Sequence, residues 1–246
     1  MQMLLVASSV VLEICLSKKM NAKKFLLYDE KTDRKVAEIK RLIFLSMNGV
    51  VSESIERKGV FYKKNFGVSL YRLKQIAEKF EKDALLAAQL WNLHYRETMI
   101  LAVFLQPIDK FSLEKAMEWS NEIQTLELAE IASKYLFSKV IFSENFATKK
   151  LADEASLQVA IGFLTLAEIV ENVAEEKLFL PKKLAFFQAA KSPELCRAIV
   201  VFLQKMVTKS ERLKQEIIKD IAQMKNSECY AERLICEELT TQILYS

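Results

Sequence analysis

Side chains able to do chemistry are scarce in this sequence, and the scarcity excludes whole classes of function. One histidine, His94, stands in 246 residues. A metal site built on several histidines is therefore impossible, and a nucleophile triad lacks its usual base. The four cysteines, Cys15, Cys196, Cys229 and Cys236, include no CxxC pair, so a zinc or dithiol site has no support. They read as buried, reduced thiols of a cytoplasmic protein. No glycine-rich phosphate loop, Walker-type lysine or HExxH run occurs, and the residues call for no metal and no cofactor. His94, in LWNLHYRE at a helix junction, suits a capping or packing role better than a proton shuttle. Trp91 and Trp119 read as core or interhelix anchors.

Charge is distributed unevenly along the chain. Residues 56–74 carry six basic side chains against one acid, and residues 177–219 carry ten against three. Between them, residues 121–176 hold ten acids and four lysines. Basic stretches near both ends suit phosphate contacts at two places along a groove, whereas an inward-facing acidic middle would repel them. The formal net charge of +4 by itself decides nothing about nucleic acid.

The elements that must carry these residues are helices. Four glycines and three prolines are too few for folds that turn at every corner. A hydrophobic share of 51% with 28% charged residues excludes both disorder and a polytopic membrane protein. Residues 3–16 (MLLVASSVVLEICL) are apolar but interrupted by Glu13, followed by Lys18 and Lys19, and shorter than the roughly 20 residues a membrane span needs. Residues 1–25 are thus expected to be an amino-terminal extension or an extra packing helix, and 26–246 a single domain.

From there amphipathic patterns follow one another. Val36, Ile39, Leu42, Ile43 and Met47 mark the first, which Asn48-Gly49 breaks, and Gly59 ends the next. Gly59–Leu70 is the one real loop. Ser69 caps a helix to about residue 81, Asp83 one to about 93, and another runs from Tyr95 to before Pro107. Ser112 caps the next, and a single helix is expected over 121–138. Residues 155–174 form a buried central helix. Pro181 and Ser192-Pro193 open helices, and patterns over 194–224 and 228–244 close the chain. Composition leaves open a solenoid of helix pairs or an irregular bundle.

Three stretches, MNGVVSESIERKG, YKKNFGVSLYRLKQIA and LAAQLWNLHYRETMILAVFLQP, carry a resemblance. The ordered positions are Asn48-Gly49-Val50, Gly59, Tyr62, Gly67-Val68, Leu73, Ile76, Ala77, Leu90-Trp91, Arg96-Glu97, Ile100, Leu101, Ala102 and Leu105. They resemble the amino-terminal half of the DNA alkylation repair family, the AlkD-type DNA glycosylases of HEAT-like helical repeats. The resemblance implies an all-α fold, an α-α superhelix of the HEAT-like or ARM type, whose concave face holds duplex DNA.

It also implies chemistry. Active members of that family are N-glycosylases that release methylated purines. They set a tryptophan and, four residues later on one helix, an aspartate against the lesion, with an arginine from the next repeat. Here those places fall on Ile123, Glu127 and Gln158, and a further DNA-facing tryptophan falls near Val201. Ile123 offers no electron-rich face to a cationic sugar, and Gln158 cannot pair bidentately with phosphate. Glu127 keeps the charge, but its extra methylene displaces the oxygens by roughly an ångström, which can cost on the order of 100-fold.

The expected function is therefore DNA binding to duplex or damaged DNA with base excision weak or lost. The contacts are sequence-independent backbone contacts by a monomer, with no membrane involved. Candidate phosphate ligands are Lys63, Lys64, Arg72, Lys74, Arg96, Lys182, Lys183, Arg197 and Lys205, although Arg96-Glu97 also reads as a structural pair. Two alternatives stand beside this one: a working alkylpurine glycosylase using Glu127, and a helical-repeat scaffold for protein partners.

Overall fold

Short polar side chains set most of the helix starts. The computed structural model describes residues 29–57, 62–174, 192–224 and 228–245, so Cys15, the amino-terminal extension, Gly59, Pro181, Lys182 and Lys183 lie outside the described residues. Asp29 caps α1 (Glu30–Leu45), accepting from the Thr32 amide. Asn48 opens α2 (Gly49–Arg57) by accepting from the Val51 amide at 3.2 Å. Ser69 caps α3 (Leu70–Ala77) and Asp83 caps α4 (Ala84–Trp91). A side-chain acceptor at that position satisfies an amide with no partner inside the helix, at a gain of about 1 kcal/mol each.

Then come α5 (Arg96–Leu105), α6 (Leu113–Glu122) capped by Ser112, and α7 (Leu126–Tyr135) capped by Thr125. They are followed by α8 (Ser143–Leu151) and the nearly all-apolar α9 (Ser156–Val170). The carboxyl-terminal helices are α10 (Pro193–Lys209), capped by Ser192 with Pro193 in its first turn, α11 (Glu211–Met224) and α12 (Tyr230–Tyr245). The described residues contain no strand, only an isolated bridge between Lys64 and Tyr95.

The helices pack in two rows. α3, α5, α7, α9 and α10 follow one another side by side and form the inner row; α1 lies on α4 and α6 on α8 in the other, with α11 and α12 closing against α10. The core runs between the rows. Trp91 and Trp119, both buried, stack at 4.2 Å with an interplanar angle of 4°, and Phe111 meets Trp119 edge-on. Both indoles are thus the interhelix anchors the sequence led one to expect. Cys196 and Cys236 are buried and Cys229 half-buried, and burial pushes the Cys196 thiol above its ordinary range.

Two expected helices are each divided. The pattern over 121–138 breaks at Ile123–Thr125, where Ile123 is the cap residue ending α6 and Thr125 starts α7. Apolar spacing carries across the break because Ile123 is itself buried in the same core. The pattern over 194–224 likewise breaks at Ser210, whose hydroxyl accepts from the Leu213 amide at 3.3 Å. In both cases a cap signature was the missed signal. His94 is exposed and adopts φ +54°, its amide donating to the Trp91 carbonyl at 3.0 Å. It ends α4 by a left-handed turn, the capping role.

Gly67 is the tightest point of the fold. It has φ +69°, and a Cβ there would lie 2.1 Å from the Asn48 carbonyl oxygen and 2.6 Å from the Ser52 nitrogen, both main chain. Backbone cannot swing aside as a side chain can. Gly67→Ala should therefore lower stability by about 2–5 kcal/mol, from left-handed strain and overpacking together. The measurement is the urea midpoint at unchanged slope, and a loss within experimental error would contradict the contact.

Candidate nucleic-acid interface

The loop before α3 and the first turns of α5 and α7 converge on one buried guanidinium. Arg96, 4% exposed, donates from Nε and Nη2 to the two oxygens of Glu127 at 2.9 and 2.5 Å. Its Nη1 donates to the Val68 carbonyl at 2.9 Å and to Glu97 at 3.1 Å. Glu97, wholly buried, accepts from the amides of Phe66 and Val68 at 3.1 and 3.3 Å. The Arg96 amide donates to the Lys64 carbonyl at 3.0 Å. The residue pair that opens α5 thus holds the 64–68 segment by its carbonyls and its amides together.

Tyr62 completes the arrangement. Its hydroxyl donates to Glu127 at 3.0 Å and lies 2.6 Å from the Thr125 hydroxyl. Burial works against the Glu127 charge, but the hydrogen bonds and charge of Arg96, with Tyr62, outweigh it and hold the carboxyl below its ordinary range. Burial likewise opposes the Arg96 charge, and Glu127 and Glu97 more than restore it. Burial, then the neighbouring carboxylate, push the Tyr62 phenol well above its ordinary value.

These contacts decide the fate of the sequence candidates. Arg96 has every guanidinium nitrogen engaged inside the fold, so it is no phosphate contact but the structural half of its pair. Glu127 is neither a solvated helix acid nor an unencumbered one, since both oxygens accept from Arg96. Ile123 does not share a helix with Glu127 and is 2% exposed in the core. Gln158, 8% exposed, donates to the Ser120 carbonyl at 2.9 Å and accepts from Lys150 at 2.6 Å. Lys150 is wholly buried, also donates to Asn121 at 2.7 Å, and burial lowers its pKa. Gln158 therefore solvates a buried ammonium, a role that no spacing in the sequence discloses. A pocket of about 170 Å³ lies beside Tyr62, His94 and Leu128, and none of Ile123, Glu127 and Gln158 lines it.

The cationic candidates divide by position. Lys63 and Lys64 are exposed on the loop before α3, with the Lys64 ammonium 5.2 Å from the Tyr95 ring centre. Arg72 donates to the Ser46 hydroxyl at 3.1 Å and to Gln75 at 3.0 Å. Lys74 donates to the Tyr135 hydroxyl at 2.7 Å. These four have only neutral partners among the described residues. Arg197 and Lys205 on α10 differ, because Arg197 pairs with Glu130 of α7 at 2.9 Å and Lys205 pairs with Glu171. Two acids of the acidic middle thus pair with two cations of the basic carboxyl-terminal stretch. Val201, half-buried on α10, packs against the core.

The sequence matches no family model and no curated protein. The fold does match a solved structure, described as "A new family of proteins related to the HEAT-like repeat DNA glycosylases with affinity for branched DNA structures". The TM-score is 0.67 with 16% identity, over 84% of this chain and 94% of that one. The α-α superhelix of HEAT-like repeats implied by the sequence resemblance is the architecture observed, and the irregular bundle is set aside.

Glu127→Gln should lower the unfolding free energy by about 1–3 kcal/mol, because it removes one of the two carboxylates that pair with a buried guanidinium, Glu97 remaining. The folded carboxyl titrates below its unfolded value of roughly 4.3, so its contribution is full above that value and is lost as the pH falls through the folded one. The gap between wild type and variant in urea melts should accordingly be constant above about pH 6 and narrow in acid. A gap that is absent at neutral pH would show the ion pair to be dispensable.

Proposed function

We propose that this protein binds DNA through its phosphates, without reading sequence, and that alkylpurine excision is weak or lost. The observation that carries the reading is the group of cations on and after the loop before α3. Lys63 and Lys64, beside the first turn of α5, and Arg72 and Lys74, along α3, bring four positive charges to the inner row with no carboxylate paired to them among the described residues. Unpaired cations release condensed counterions from DNA, and this is the main source of sequence-independent affinity. Lys182 and Lys183 belong to the same proposal on sequence grounds alone. Arg197 and Lys205 join it only by exchanging their acids for phosphates, and exposed pairs of this kind are worth little enough to exchange.

The partners of the candidate acid support weak or lost excision. A carboxylate that steadies a departing base's sugar must present its charge to that sugar. Glu127 presents its charge to Arg96, and the neighbouring candidates are spent on the core and on Lys150. The affinity for branched DNA stated for the structurally similar protein supports DNA as the ligand and makes branched molecules the first to try.

In a fluorescence anisotropy titration at low salt, the protein should bind both duplex and branched DNA. Lys63→Gln with Lys64→Gln should flatten the dependence of log affinity on log salt by about two, close to one per lost phosphate contact. An unchanged slope would place the interface elsewhere, and no binding at low salt would remove the reading. On methylated DNA, wild type and Glu127→Gln should release base equally, at background; release by wild type that Glu127→Gln abolishes would restore the glycosylase alternative.

A further inference from the structure

We infer that the carboxyl-terminal edge of the inner row holds a site for one unpaired nucleobase of a DNA strand together with its phosphate. The inference rests on the DNA-binding reading above and gives it a structural preference. Where α3, α5 and α7 end, Phe80, Phe104 and Tyr135 wall a pocket of about 360 Å³, with Lys74, Lys82 and Glu78 beside them. Phe104 and Tyr135 meet edge to face at 5.2 Å and 86°, which fixes the tyrosine ring against a half-buried neighbour.

Two ammonium groups attend that ring. Lys74 lies 4.6 Å from the Tyr135 ring centre and Lys134 lies 5.8 Å from it. Lys82 is exposed at the rim. The chemistry is an aromatic floor under a cationic rim, with one acid, Glu78, against two lysines, Lys74 and Lys82, in the lining. Any base can stack on such a floor, since every base has a π-face, and the lysines meet the attached phosphate. Tyr135 is half-buried, and a base stacking on the part of its ring that lines the pocket turns Lys74 from the neutral ring and hydroxyl toward the phosphate, exchanging a neutral partner for an anionic one. Bases inside a duplex are covered by their neighbours and cannot enter. Only a bulged, flapped or branch-point nucleotide offers a free face, and a site of this kind would favour branched over fully paired DNA.

The test uses the full chain and two labelled DNAs of equal length, one fully paired and one with a single bulged 2-aminopurine. Wild type should bind the bulged DNA more tightly and quench the 2-aminopurine. Tyr135→Leu should weaken binding of the bulged DNA on the order of 10-fold and abolish the quench, while changing the paired DNA less than about 2-fold. Tyr135→Phe keeps the ring and loses only the hydroxyl contact with Lys74, so it should behave as wild type. Thermal melts of both variants show whether the fold is intact; should Tyr135→Leu not fold, Lys82→Gln, at the pocket rim and outside the general phosphate contacts, takes its place, with the same selective loss expected at roughly 3-fold.

Equal binding of the two DNAs, or a loss in Tyr135→Leu that is the same for both, overturns the site while leaving DNA binding standing. Competition by free deoxyadenosine monophosphate as effective as that by the bulged strand overturns the assignment to a DNA strand. Failure of wild type to bind either DNA overturns both readings together.

Discussion

A guanidinium buried at the start of α5 can exist only if the chain around it supplies compensating charge, and the first half of the structure is arranged to supply it. An uncompensated buried cation costs several kcal/mol, so Arg96 draws Glu127 from the start of α7, Glu97 from its own helix and the Val68 carbonyl from the preceding loop. Each of those groups is thereby fixed in turn. The 64–68 segment cannot slide while its amides bond Glu97, and Gly67 there must approach the Asn48 and Ser52 backbone closely. One electrostatic requirement therefore positions the loop that carries Lys63 and Lys64.

The same requirement governs what the Glu127 carboxylate faces. The resemblance places the family's acid at Glu127, where Arg96 and Tyr62 hold the carboxyl below its ordinary range against the opposing effect of burial. Its charge is already matched, however, by a partner two helices away in sequence. A stabilising ion pair and an electrostatic catalyst make opposite demands on one carboxylate. The first needs its field cancelled, and the second needs it directed outward. Lys150 and Gln158 repeat the pattern on a smaller scale, with a neutral amide spent on holding a buried ammonium instead of facing a ligand.

Charge patterning along the chain also proved to have an internal meaning as well as an external one. Ten acids over 121–176 looked like an obstacle to DNA. Two of them, Glu130 and Glu171, instead take up Arg197 and Lys205 of α10. Of the described candidate cations, those not paired with an acid lie toward the amino-terminal half, at the loop before α3 and along α3 to the mouth of the aromatic pocket between Lys74 and Tyr135.

The sequence alone determined what local chemistry controls: helices in place of strands, the caps at Ser69, Asp83, Ser112 and Ser192, and the two tryptophans in the core. Each of these depends on neighbours within a turn or on the periodicity of apolar residues. The breaks at Thr125 and Ser210 were written there too, as cap signatures overridden by apolar spacing that continued through them. Only the tertiary structure decided the roles of Glu127, Gln158 and Tyr135. Their partners Arg96, Ser120 and Lys74 lie 31, 38 and 61 residues away. No period in the chain encodes such distances, because which side chains meet across a row of helices depends on how the helices stack.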